Sequence, residues 1–93
     1  VRRAARKDSP QAAIVDALRA IGVMVFVLNQ EGLPDLLCYF RGVWMPLEIK
    51  RPRGKLTAAQ WLTRKRAPFP VAETIDQALV IFGDIQRYLE DCK

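Results

Sequence analysis

The stretch around Arg41-Gly42 constrains the chain most. Leu36, Leu37, Cys38, Tyr39 and Phe40 precede it, and Val43, Trp44, Met45, Leu47 and Ile49 follow. Two apolar runs joined by a short glycine-bearing turn predict a hairpin. The turn also fixes a register, in which Asp35 pairs with a residue between Glu48 and Lys50. Directly opposed Cβ atoms of an antiparallel pair lie roughly 4.5 to 5.5 Å apart. Side chains alternate along a strand, so Glu48 and Lys50 share one face while Leu47 and Ile49 take the other. Two carboxylates and an ammonium in the middle of a small domain must compensate one another or bind a cation. A hard divalent ion meets that demand, because Mg²⁺ uses one or two carboxylates together with waters and substrate phosphates. Asp35 and Glu48 are the candidate ligands, and Lys50 is the cation placed to steady charge at a reacting phosphate.

Ninety-three residues, 51% of them hydrophobic, are enough for one domain with a packed core. The chain has no histidine and two cysteines, Cys38 and Cys92. That composition excludes a Cys/His zinc site, a Ser-His-Asp triad and a histidine general base. Cys38 reads as a small core residue and Cys92 as a loose thiol; unpaired cysteines fit a reducing cytosol.

Fifteen Lys and Arg against ten Asp and Glu leave a net charge of +5. Between Glu48 and Glu73 there is no acidic residue, while Lys50, Arg51, Arg53, Lys55, Arg64, Lys65 and Arg66 all fall there. A second run, Arg2, Arg3, Arg6 and Lys7, suggests a flexible basic arm over residues 1–8. Taken alone, either run is ordinary solubilising charge. Beside paired carboxylates, the two together are the footprint of a phosphate-backbone binder. The longest apolar run, residues 21–28, falls far short of the roughly 18 residues a membrane span needs. No apolar stretch follows the basic start as in a signal peptide, so a cytoplasmic protein is expected.

Along the chain, Asp8-Ser9-Pro10-Gln11 predicts a helix start with proline at its first position, carrying Ile14, Val15, Leu18 and Ile21 and closed by Gly22. Residues 23–28 predict a strand buried on both faces. Glu31 is a spare ligand candidate or a solvated loop charge. Pro46 implies an edge strand or a bulge in the third strand. Thr57-x-x-Gln60 is a capping-box signature, opening a helix with Trp61 and Leu62 turned inward and cations in its last turn. Residues 68–72 predict a short fourth strand. The last helix, from a Thr74-Gln77 capping box, carries a wide apolar stripe through Ile75, Leu79, Phe82, Ile85 and Leu89. Such width implies deep burial or a subunit interface, and close packing against a neighbour would offset the cost of Gly83 in a helix. The order αβββαβα with a mixed central sheet predicts a three-layer α/β domain.

Pro34-Asp35, twelve residues, then Glu48-Ile49-Lys50 is the arrangement of the PD-(D/E)xK nucleases. With Asn29-Gln30-Glu31-Gly32-Leu33 before it and Gly54-Lys55-Leu56-Thr57 and Gln60 after it, the chain resembles the VRR-NUC branch of that superfamily over about residues 10–78. The resemblance implies a restriction-endonuclease-like core and a metal-dependent endonuclease cutting DNA phosphodiesters. Asp35, Glu48 and the carbonyl of Ile49 would hold Mg²⁺ or Mn²⁺, and no other cofactor is implied. Arg51, Arg53, Lys55, Arg64, Lys65 and Arg66 would contact DNA. Gln11 stands where many of these nucleases carry an acid on the first helix. It orients a water there or belongs to a capping box with Asp8, and the two roles are compatible. Gln60 either caps its helix or faces the cleft. Stand-alone VRR-NUC domains look like structure-selective enzymes of phage and bacterial origin. A two-fold homodimer would match a four-way (Holliday) junction, in DNA repair or recombination; flap cleavage and nicking are alternatives. A basic DNA-binding module with a structural triad, or an RNA-processing enzyme of similar fold, are readings from other classes.

Overall fold

The computed structural model describes residues 9–91. Its elements are α1 (Gln11–Ala20), β1 (Met24–Val27), β2 (Leu36–Phe40), β3 (Val43–Ile49), α2 (Ala58–Arg66), β4 (Val71–Ala72) and α3 (Ile75–Asp91). This is a small mixed α/β domain whose single sheet runs β1-β2-β3-β4. The first three strands are antiparallel, and β4 lies parallel to β3.

The hairpin forms where the glycine stands. Phe40 pairs with Val43 across a two-residue loop, in which Arg41 and Gly42 have φ of 52° and 89°. Positive φ at both positions is the turn whose twist matches that of the flanking strands. The register then runs unbroken to Leu36 opposite Leu47, with no bulge at Pro46. Nor is β3 an edge at its C-terminal end. The amides of Glu48 and Lys50 donate to Pro70 and Ala72 on the β4 side. By alternation, the Pro46 nitrogen faces that side too, one step before β4 begins. No ladder bond is lost there, because β3 is locally an edge at Pro46, one of the two arrangements the proline implied.

One face of the sheet carries the core. Ile14, Val15 and Leu18 of α1 and Ala78 and Phe82 of α3 pack with Val25, Leu36, Cys38, Phe40, Leu47 and Ile49 into one cluster. The Phe40 and Phe82 rings meet edge-on, with centroids 5.8 Å apart. Burial pushes the Cys38 thiol up to about 11, so it is an inert core residue. Cys92, like Asp8 and the basic run of residues 2–7, lies outside the described residues.

The opposite face departs from expectation. Strand β1 is an edge strand with Met24 and Phe26 exposed, so residues 23–28 are not buried on both sides. An uninterrupted apolar run cannot by itself tell a central strand from an edge strand with an open face. Trp61 and Leu62 are exposed too, and the one buried residue of α2 is Gln60. With Gln60 inward, the next two positions are rotated about 100° and 200° away around the helix. The start of α1 shifts by one residue: Pro10 is the N-cap, and Ser9 Oγ accepts the Gln11 amide at 3.3 Å. Ile21 ends up exposed beyond the helix. In α3, Ile75 and Val80 are exposed, and nothing lies within 4 Å of where a Gly83 Cβ would stand. Among the described residues no neighbour packs there to offset the cost of the glycine. Among the described residues no helix is long and apolar enough to cross a membrane.

Candidate active site

The hairpin register puts Asp35 and Glu48 opposite one another, one step beyond the Leu36–Leu47 pair. Here side chains continue the ladder. Ile49 N–H donates to Asp35 Oδ2 at 3.0 Å, and Asp35 N–H donates to Glu48 Oε1 at 3.0 Å. On its other side, Asp35 C=O accepts the Leu28 amide at 2.8 Å. The aspartate is therefore clamped between β1 and β3.

Glu48 is only 1% exposed, on the face away from the apolar core. It tolerates burial because both oxygens are engaged: Oε1 by the Asp35 amide, and Oε2 by Lys50 Nζ at 3.0 Å. Lys50 reaches it because residues two apart share a strand face. No buried side-chain nitrogen or oxygen among the described residues lacks a partner, as expected of a buried charged cluster that survives folding.

Burial raises the Asp35 carboxyl above the ordinary value of 3.8, and the charge of Glu48 acts in the same direction. The Ile49 amide and the Lys50 ammonium oppose that rise without cancelling it. Burial, with Glu48 adding to it, thus favours the neutral acid at Asp35, and a cation bound there would favour the carboxylate.

The donor chemistry fits a hard metal. No group of three or more His, Cys, Asp or Glu side chains converges among the described residues. An ion here would therefore rely on Asp35, Glu48, a main-chain oxygen and solvent, a set that suits Mg²⁺ or Mn²⁺. The Ile49 carbonyl points toward the same side as its N–H, the side of Asp35. Glu31 is exposed on the preceding loop.

The two glutamines sit differently. Gln60 Oε1 accepts Thr57 N–H and its own N–H donates to Thr57 Oγ1, both at 3.1 Å, which makes a complete capping box. Its Nε2 donates to Leu33 O at 3.4 Å, tying α2 to the loop that delivers Pro34 and Asp35. Sequence alone left capping and cleft as rival roles for Gln60; here the capping side chain also holds the site loop. Gln11 lines a hollow of about 500 Å³ with Asp16, Arg19 and Val27. It does not line the hollow of about 290 Å³ beside Lys50, which Ser9, Ile49, Arg51, Gly54 and Lys55 complete.

The candidate DNA-contacting cations divide into two kinds. Arg51, Arg53, Lys55, Lys65 and Arg66 are exposed. Arg64 is half-buried: its Nε donates to Phe69 O at 3.0 Å, and its guanidinium lies over the Trp61 and Phe69 rings. It braces the α2–β4 connection. Missed from the sequence were this brace and the aromatic group Phe26, Tyr39 and Trp44 on the open sheet face. The signal for that group was available, since the hairpin register puts Tyr39 opposite Trp44.

No family model, curated protein or solved structure matches the chain.

Proposed function

We propose that this protein is a metal-dependent DNA endonuclease of the PD-(D/E)xK type, in the VRR-NUC branch, with a restriction-endonuclease-like core. The observation that supports it is the cross-strand pairing of Asp35 with Glu48, with Lys50 Nζ 3.0 Å from the glutamate. Asp35, Glu48 and the Ile49 carbonyl would hold Mg²⁺ or Mn²⁺. When bound, such an ion lowers the pKa of water and neutralises charge on a phosphodiester. Lys50 supplies a fixed cation beside the scissile phosphate, where negative charge grows during hydrolysis. Arg51, Arg53 and Lys55 attract the backbone toward it. Gln60 keeps the Asp35 loop in place, while Gln11, on α1, lines a separate hollow and is given no part in the reaction. The favoured substrate is branched DNA, a four-way junction resolved by a homodimer with two equivalent sites; flap cleavage or nicking is the neighbouring alternative.

A second reading, a basic DNA-binding module with a structural triad, draws on one feature: both Glu48 oxygens already have protein partners. Incubation with four-way, flap and linear DNA in Mg²⁺ or EDTA separates the two. The nuclease reading expects Mg²⁺-dependent cutting that Asp35→Asn and Lys50→Ala abolish. Binding of branched DNA without cutting under any divalent ion would establish the module instead.

A further inference from the structure

We infer that the open face of the sheet is a stacking platform for unpaired nucleobases, built from Phe26, Tyr39 and Trp44 and lying on the same face as Asp35 and Glu48. Trp44 is 56% exposed and Phe26 44%. Their rings are stacked, with centroids 6.3 Å apart and an interplanar angle of 30°, while Tyr39 leans on Trp44 at 4.9 Å. Rings from β1 and β2 that both meet Trp44 on β3 cost little side-chain entropy to hold in place, and they offer flat π-surface to solvent. Folding alone does not explain that exposure, because the core lies on the other face.

Charge and continuity point to the occupant. Trp44, Pro46, Glu48 and Lys50 follow one another along the same face of β3, so the platform lies roughly 13 Å from the carboxylate pair at about 3.3 Å per residue. Beyond Lys50 come the exposed Arg53 and Lys55, in a stretch with no acidic residue from 49 to 72. Aromatic rings for bases combined with cations for phosphates further along the chain are the way single strands are gripped without sequence preference. A second copy is the rival occupant, and sedimentation distinguishes it. The inference rests on the nuclease reading for the class of ligand and adds its conformation: an unpaired segment, such as the strand exposed at a branch point, lies across the sheet.

The test is run in EDTA, so that it is independent of cutting. Trp61→Phe leaves Trp44 as the one indole, since the chain has two tryptophans. Titration with oligothymidylate of about a dozen nucleotides is expected to quench its fluorescence. Trp44→Ala is expected to weaken oligothymidylate about tenfold or more while blunt duplex of equal length changes little, and Trp44→Phe to retain most of the affinity. Quenching no greater than that by inorganic polyphosphate, or equal oligothymidylate affinity in wild type and Trp44→Ala, overturns the inference. So does sedimentation showing a dimer that Trp44→Ala splits into monomers. Intact quenching in a protein that never cuts DNA sinks only the nuclease reading; cutting without quenching sinks only the platform.

Discussion

Glu48 accepts the backbone amide of Asp35 through Oε1 at 3.0 Å, so the partner that crowds the aspartate also fixes its main chain. Asp35 in turn holds the amide of Ile49. Each acid is thus a structural acceptor as well as a negative charge. Amide substitutions keep an acceptor oxygen and remove the charge, which makes the two roles separable by experiment.

Asp35→Asn should change the pH dependence of stability. The folded carboxyl is raised above 3.8, chiefly by burial, so the native state holds its proton longer than the unfolded state. Stability must then fall as pH rises from 3.8 through the folded value. Below that window both states are protonated and the penalty vanishes. Relative to wild type, Asp35→Asn is therefore expected to gain stability on going from acid to neutral pH. The gain is small, because the group is partly exposed and screened by solvent. Urea midpoints for both proteins across the range measure it; a difference that does not vary with pH contradicts a burial-driven shift.

Mg²⁺ should stabilise the folded protein if the carboxylates receive it. At tenfold excess over its dissociation constant, a ligand specific for the native state adds about 1.4 kcal/mol, worth several degrees of melting temperature in a domain of this size. Melting curves with and without MgCl₂ are expected to separate for wild type and to coincide for Asp35→Asn. Equal shifts in both proteins mean that the ion binds elsewhere.

The cations near the end of α2 should not behave alike. Arg64 carries the bond to Phe69 O and lies over two rings, so Arg64→Ala is expected to cost about 1.5 to 3 kcal/mol of stability, the range for a hydrogen bond made by a charged group, to which its packing adds. Lys65→Ala with Arg66→Ala should leave stability nearly unchanged and flatten the salt dependence of duplex binding by about 0.9 in log–log slope for each phosphate no longer neutralised. Denaturation and binding isotherms at several salt concentrations decide this. An unaltered slope would make those two residues plain surface charge.

Gly83→Ala should stabilise. The position is exposed, lies inside α3, and has open space where a Cβ would go. The expected gain is about 0.5 to 1 kcal/mol, the helix-propensity difference, read as a higher urea midpoint. A loss of stability would mean that the helix meets a neighbour there after all.

The sequence alone determined the hairpin, because Arg41-Gly42 permits a two-residue turn and that turn counts Asp35 onto Glu48. It also determined the Thr57-Gln60 cap and the core stripe of α1, since both depend on residues within a turn or two of one another. Tertiary structure decided which faces are covered. Residues 23–28 are apolar in either a central or an edge strand, and only the placement of α1 and α3 on the same side of the sheet leaves Phe26 and Trp44 open. Likewise only the tie of Gln60 to Leu33 turned α2 so that an amide faces in and Trp61 faces out. Local pattern encodes turns, caps and register through short-range sterics and hydrogen bonds. Burial is a property of the whole packing, and no window of the chain contains it.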